Sequence, residues 1–437
     1  MSEIVVAKFG GSSLSDSSQF KKVRDIILSD RRRRFVIPSA PGKRFAKDYK
    51  ITDLLYLCQS HVEQEISFDE VFKIICSRYK EIISDLGLDF DISPYLNEVK
   101  EKVANGATPD YTASRGEYLN GLILAKYLGF YFIDASDIIL FNKRGRLDDK
   151  KTYELINEKL SSLENAVIPG FYGKSYTGEI KTFSRGGSDI TGAIISCGVG
   201  AALYENWTDV SGFLMADPRI VKNPKHIKEI TYRELRELSY MGATVLHEES
   251  VFPVRKAEIP INIKNTNQPE HCGTLILNSS LDENGSAITG IAGKKDFTVI
   301  AIEKTMMNQE LGFCRKLLSI VESNGVSFEN MPCGIDTVSL VIAKSELKDK
   351  LDNILDEIED QLKPDSLLVY EDMALIATVG KGMISRKGVS AKIFKALGEN
   401  DINVRMINQG SSEMNVIVGV ENADFEKATR AIYDEFV

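Results

Sequence analysis

No two cysteines in this chain are spaced as C-x-x-C; the six lie apart, at Cys58, Cys76, Cys197, Cys272, Cys314 and Cys333. That scatter speaks against a zinc framework or a disulfide scaffold and fits a reducing compartment. Long apolar runs are missing as well. The longest uncharged stretch, Ile190 to Tyr204, contains three glycines and falls short of the ~20 apolar residues a membrane span requires. Lys8 interrupts the first apolar run and glycines follow it, so no leader pattern opens the sequence. An excess of positive charge is also lacking. The 54 lysines and arginines stand against 63 aspartates and glutamates, which argues against a nucleic-acid partner. Only Arg31–Arg34 runs the other way, and it reads as a solvated helix end before the apolar Phe35-Val36-Ile37. No G-x-x-x-x-G-K-[ST] segment occurs, so a Walker-type nucleotide site is not expected. What remains is a cytoplasmic protein with neither nucleic-acid nor membrane partners.

The 437 residues, 43% hydrophobic and 27% charged, suit a globular chain of two or three domains. The first half alternates short apolar runs with amphipathic ones, the pattern of an α/β fold with a largely parallel sheet. Ile4–Phe9 and Arg34–Ser39 read as strands, with a helix over Ser18–Leu28 between them. Further helices are expected at Thr52–Ile66, Phe68–Leu86, Ser114–Leu128 and Asp189–Leu203. Short strands are expected at Ala166–Pro169 and Ala201–Trp207. From Phe297 an internal repeat appears: Gly312 aligns with Gly388, 76 residues on, and the same offset carries Asn324 to Asn400, Leu340 to Val416 and Ile342 to Val418. Two copies of a βαββαβ-like unit explain it without a gap up to the third strand. The second copy lacks a fourth strand, which Ala287–Ala292 is expected to supply.

Four clusters carry chemistry. Lys8-Phe9-Gly10-Gly11-Ser12-Ser13 sets a lysine at a strand end before paired glycines, whose backbone N–H groups can approach phosphate closely. Read alone, it is equally an ordinary strand–turn–helix. Arg185-Gly186-Gly187-Ser188-Asp189 pairs a carboxylate-binding arginine with residues that also serve as helix caps. Ser114-Arg115-Gly116-Glu117 opens a helix, where a glutamate either complements the dipole or meets a ligand's ammonium. Trp207-Thr208-Asp209 through Asp217-Pro218-Arg219 follows a strand end, which suits a nucleotide pocket or a plain turn.

Taken together and in this order, with Ser39-Ala40, Gly170-Phe171-Tyr172-Gly173 and Lys256-Ala257-Glu258-Ile259-Pro260 through Lys264-Asn265-Thr266, these motifs resemble the aspartokinase family over essentially the whole chain. The resemblance implies an amino-acid-kinase fold, a mainly parallel sheet flanked by helices, over residues 1–285. Residues 286–296 would link it to two ACT modules, 297–372 and 373–437. It implies phosphorylation of the L-aspartate β-carboxylate by ATP with Mg²⁺, the first step toward lysine, threonine and methionine. Lys8, Gly10, Gly11 and Ser12 would hold the phosphates, Asp189 would orient Lys8, and Thr208, Asp209 and Arg219 would contact the nucleotide. Ser39, Thr52, Glu117, Arg185 and Ser188 would hold aspartate, with Phe171 lining the site. Met307, Gly312, Phe313, Cys314, Glu329 and Asp336 would bind an amino-acid effector, lysine in preference to threonine. A homo-oligomer, dimer or tetramer, would form through the ACT modules. Two departures from the family pattern stand out: Pro41–Lys50 lengthens the path from Ser39-Ala40 to Thr52, and Thr244 replaces a lysine near the nucleotide. A different kinase of the same fold, or an amino-acid sensor without activity, are the competing expectations.

Overall fold

The computed structural model of the chain describes residues 3–184, 186–243, 248–279 and 286–437. Two compact units are present. The first comprises Met1–Phe213, Lys228–Tyr232 and Val245–Ser280; the second comprises Leu214–Ile227, Arg233–Thr244 and Leu281–Val437. The division is thus not the linear one at residue 285. Side-chain bonds explain why the two short segments group with the C-terminal half. Glu234 accepts hydrogen bonds from the Thr289 hydroxyl (2.6 Å) and the Lys381 N–H (2.8 Å), and the Lys225 N–H donates to the Tyr433 hydroxyl (2.8 Å).

The first unit begins with β1 (Val5–Phe9), buried along its whole length, then α1 (Ser17–Ser29), β2 (Arg33–Pro38), α2 (Ile51–Glu63), α3 (Asp69–Leu86), α4 (Ser93–Ala104) and α5 (Pro109–Leu128). There follow β3 (Tyr131–Phe132), β4 (Leu140–Phe141), α6 (Asp149–Leu160), β5 (Ala166–Val167), β6 (Tyr172–Ser175), β7 (Ile180–Thr182), α7 (Gly187–Gly198) and β8 (Leu203–Thr208). The main sheet has eight strands, in the order Glu229–Thr231, Thr274–Leu277, Ile261–Asn265, β8, β1, β2, β5, β3. Its pairings are parallel except that between Ile261–Asn265 and Thr274–Leu277. The carboxyl ends of β1, β2, β5 and β8 therefore open on one edge, where α/β folds gather ligands.

Three local readings change. Helix α5 starts at Pro109, with the Thr108 hydroxyl accepting the Tyr111 N–H at 3.2 Å, so Ser114–Glu117 lies buried inside the helix and not in its first turn. The cap of α7 is Gly186, left-handed at φ 57°, which leaves Ser188 and Asp189 within the first turn and free of capping work. The arginine run is not simply solvated. Arg33 is half-buried and pairs with the buried Glu205 at 2.7 Å, and Arg34 donates to the carbonyls of Leu163 and Glu164.

The second unit is built on a five-stranded antiparallel sheet in the order Thr337–Ala343, Gly290–Glu303, Ser366–Val379, Asn415–Glu421, Met406–Asn408. Gly290–Lys294 lies beside Leu375–Val379 of the second repeat, so that strand begins three residues after Ala287. The helices Phe313–Ser323 and Val389–Glu399 keep the repeat offset. The third strands do not. Ile300 faces Leu340 while its counterpart Ile376 faces Val418, so Leu340 corresponds to Val418 rather than Val416. A slip of two residues preserves which side chains face the core, so the hydrophobic pattern concealed it. No helix among the described residues is long and apolar enough to cross a membrane.

Candidate active site

Lys8 occupies the centre of the sheet, one residue before the end of β1, and is 8% exposed. A buried ammonium is tolerated only when paired and hydrogen-bonded. Its Nζ lies 2.6 Å from Asp189 Oδ1 and donates to Asn206 Oδ1 at 3.5 Å, while Asn206 Nδ2 donates to Asp189 Oδ1 at 2.9 Å. The triangle closes because β1 and β8 pair in a register that sets Lys8 opposite Asn206. Asp189 is held in place by the first turn of α7, whose dipole favours a carboxylate, and its carbonyl accepts the Tyr204 hydroxyl at 3.1 Å. Asn206 escaped the sequence reading, since a polar residue inside a strand carries no motif; only the register exposes it.

The glycine turn sits against this ammonium. The Gly10 N–H donates to the Trp207 carbonyl (2.9 Å), the Ser13 N–H to Gly10 (3.0 Å), and the Gly42 N–H to Gly11 (2.8 Å). A Cβ on Gly11 would fall 2.8 Å from the Ala40 carbonyl, so only glycine permits this packing. Gly10 lies beside the charge, since a Cβ there would stand 3.7 Å from Lys8 Nζ, an ordinary contact. Ser12 follows, half-buried. Thr208 ends β8 next door, its hydroxyl donating to Asp209 at 3.2 Å and its carbonyl accepting the Thr266 N–H at 2.9 Å. Arg219 belongs to the other compact unit, where it holds Asp217 at 2.6 Å. Arg185 and Thr244 lie outside the described residues.

Ser39 leaves β2 with its N–H on the Phe9 carbonyl (3.0 Å) and its own carbonyl receiving Asn120 Nδ2 (2.7 Å). Gly116 lets α5 press on Ala40, where a Cβ would meet the Ala40 methyl at 2.8 Å. That approach brings Glu117 to the Ala40 N–H. Glu117 is 5% exposed, and its Oε2 has no hydrogen-bond partner among the described residues. Burial pushes its carboxyl up to about 8, against the pull of the Ala40 N–H, Arg115 and Lys8. Phe171, at φ 80°, fixes its N–H on the Thr191 hydroxyl (3.0 Å), and Gly170 makes room for Ser188, whose hydroxyl would lie 2.6 Å from a Cβ there. Thr52 sits half-buried in the first turn of α2. A buried carboxyl oxygen without a partner among the described residues, close to Lys8 and the glycine turn, has the chemistry to accept a hydrogen bond from a cationic group.

The Glu117 carboxyl has a measurable consequence. It ionises near 4.5 in the unfolded chain and at about 8 in the folded one, so the folded state keeps a proton that the unfolded state releases. Its stabilising share is complete below 4.5 and is lost as pH rises toward 8. Glu117→Gln removes that loss. Its Tm should match the wild type near about pH 4 and exceed it near about pH 8, while the requirement for a cationic ligand rises. A variant less stable than wild type at the higher pH would contradict the assignment.

In the second unit, Met307 and Phe313 are core side chains of the first repeat, so only their backbone can face a ligand. Gly312, at φ 79°, opens the helix Phe313–Ser323, the Cys314 side chain is half-buried, and Cys333 Sγ donates to the Met331 carbonyl at 3.4 Å. Glu329 engages the Tyr240 hydroxyl, whose pKa that bond and burial raise to about 12. Asp336 Oδ1 is buried with no hydrogen-bond partner among the described residues.

Residues 3–265 match the amino acid kinase family, and residues 376–436 match an ACT domain. Aspartokinase 3 of Bacillus subtilis is 38% identical to this chain over 446 residues, covering 99% of this chain and 98% of that protein. The crystal structure of Clostridium acetobutylicum aspartate kinase is 63% identical, with a TM-score of 0.93 over 99% of both chains. Escherichia coli aspartokinase III, solved with aspartate and ADP and again with lysine and aspartate, is 26% identical over 99% of both chains, with TM-scores of 0.73 and 0.76. A mainly parallel sheet that brings Lys8 onto Asp189 beside a glycine turn, and an ACT repeat later in the sequence, accord with these likenesses: the chain belongs to the aspartokinase family.

Proposed function

We propose that the chain transfers the γ-phosphoryl group of ATP to the β-carboxylate of L-aspartate, giving 4-phospho-L-aspartate at the head of lysine, threonine and methionine synthesis. The observation that carries this is the buried Lys8–Asp189–Asn206 triangle against the Gly10–Gly11 turn. Aspartate's β-carboxylate is an anion at neutral pH, so no general base is needed. The obstacle is the approach of one anion to another. Lys8 and the backbone N–H groups of the turn offset the charge on the phosphoryl oxygens while a carboxylate oxygen bonds to the γ-phosphorus. The bond to the β-phosphate bridging oxygen breaks, and ADP leaves with its electron pair. Asp189 and Asn206 keep the Lys8 side chain aimed. Glu117 takes aspartate's ammonium, and Arg185 takes its α-carboxylate as a bidentate partner. Ser39, Thr52, Ser188 and Phe171 line that side, and Thr208 and Asp209 contact the nucleotide.

Magnesium enters with the nucleotide. Among the described residues no group of three or more His, Cys, Asp or Glu side chains offers an ion a cage, and Mg²⁺ characteristically rides on phosphates and waters. For regulation, the unpartnered oxygen of Asp336 favours a ligand with a second ammonium, so lysine is the effector that fits better than threonine, bound to ACT modules paired across a homodimer or a larger homo-oligomer. Aspartokinase III of Escherichia coli, solved with lysine bound, supports this reading. Asp336→Asn should weaken lysine inhibition about tenfold, a coupling of modest size, with uninhibited turnover preserved. Activity indifferent to millimolar lysine in the wild type would reject it.

The test of the main reading is ADP release coupled to a spectrophotometric readout, with aspartate, glutamate and succinate offered separately, each with and without lysine or threonine. Turnover with aspartate alone is expected. Binding of aspartate without ADP release would favour a sensor instead.

A further inference from the structure

Behind the glycine turn lies a second buried charge cluster to which the reaction itself assigns no part. Arg78, on α3, has a side chain 2% exposed and grips Asp48 with one amino group, at 2.9 and 2.7 Å to the two carboxylate oxygens. Its other amino group donates to the carbonyls of Gly42 (3.2 Å) and Ser15 (3.4 Å). Asp48 also accepts from Arg44, at 2.9 Å through Nε and 3.0 Å through the backbone N–H. Burial works against the Asp48 carboxylate, but the bonds from Arg44 and Tyr49 and the charge of Arg78 outweigh it and hold it ionised below the usual range. The lengthened Pro41–Lys50 loop is thus pinned from beneath.

Ser15 closes the short helical turn that begins at Gly11, and Gly42 is the residue whose N–H bonds the Gly11 carbonyl. Gly11 and Gly42 are in backbone contact so close that a Cβ on either would collide with main-chain atoms, at 2.8 Å and 2.7 Å. One guanidinium therefore brackets the glycine turn, fixing its far end and the loop pressed on its near end. A buried ion pair is a poor way to gain stability, since apolar residues of the same volume usually do as well. Its distinct property is directional, and here it ties two backbone segments, the end of the glycine turn at Ser15 and the 41–50 loop at Gly42, to one carboxylate.

We propose that Arg78 and Asp48 are positioning residues for nucleotide phosphate: they set the spacing of the Gly10–Gly11 turn against the 41–50 loop without touching either substrate. The inference rests on the kinase reading only for the identity of the phosphate compound.

Arg78→Lys keeps the charge but loses the fork, and Asp48→Asn keeps the volume but loses the charge. KM for ATP should rise on the order of tenfold in each, with KM for aspartate within about twofold of wild type, because small misplacements of a binding group weaken its ligand selectively. The double variant should be no worse than the worse single one, since both act through one cluster. An unchanged KM for ATP in a folded variant, an equal rise in both KM values, or a fall in Tm alone would overturn the proposal. Failure of both variants to fold would overturn it as well, by making the cluster structural. A wild-type chain inactive toward aspartate would sink the kinase reading instead. ATP affinity followed through the fluorescence of Trp207, the sole tryptophan, would still judge the positioning role, because its carbonyl holds the Gly10 N–H.

Discussion

Lys8→Ala should lower kcat by about 10²–10³, the scale on which enzymes lose a single preorganised charge donor. The loss comes from two directions. The ammonium that offsets phosphoryl charge is gone, and the Asp189 carboxylate it neutralised at 2.6 Å is left facing the phosphates, with Asn206 as its remaining side-chain donor among the described residues. Lys8→Arg should not restore the rate, because a guanidinium does not fit a position 8% exposed between two strands that pair on either side. Single-turnover kinetics, with thermal melting as a control for folding, separate this effect from stability. Turnover close to wild type in a folded Lys8→Ala chain would contradict the assigned role.

Arg33→Ala should cost about 3–5 kcal/mol of stability, the range measured when one partner of a buried ion pair is removed. Arg33 Nε and Nη2 grip Glu205 at 2.7 and 3.1 Å, and Nη1 donates to the Ile26 carbonyl (2.5 Å) and the Ser29 hydroxyl (3.0 Å). The guanidinium lies 5.3 Å from the centre of the Trp207 ring, whose Nε1 donates to the same Glu205 oxygen that Nε holds, at 2.8 Å. Alanine would leave a carboxylate 5% exposed with the indole as its remaining side-chain donor among the described residues. Urea unfolding followed by Trp207 fluorescence measures the difference. A loss below about 1 kcal/mol would place the pair among surface-like ion pairs and contradict its burial. The double variant Arg33→Met with Glu205→Leu should recover most of the loss, since it is the unpaired charge that costs.

The parts of this molecule that repeat a local rule were legible from residues alone. Strand, glycine turn and helix follow one another from Val5 to Ser29 because a short apolar run, glycines that permit close backbone packing and an aspartate cap each act within a few residues. Lys8 and Asp189 could be named because both stand at motif positions. Asn206 could not, since its role depends on which residue the neighbouring strand sets opposite it. The sequence pattern sets Glu117 in a first helical turn, whereas the start signal, Thr108-Pro109, lies upstream of Asp110 and Tyr111 and places Glu117 inside the helix. The arginine run misled for the same kind of reason. A charge that ends up paired inside the protein looks, in one dimension, like a charge left in water. The two-residue slip in the second repeat was invisible in principle, because strand faces recur every two residues.

Hydroxylamine trapping tests most directly whether the Lys8–Asp189 pair brings aspartate's carboxylate onto the γ-phosphate, since an acyl phosphate yields a hydroxamate that neither ATP nor aspartate alone produces. Wild-type protein with ATP and aspartate should accumulate aspartyl hydroxamate in step with ADP, and Lys8→Ala should show a drop on the order of 10²–10³ in both. ADP formed without hydroxamate, or hydroxamate formed equally well by the variant, would contradict it.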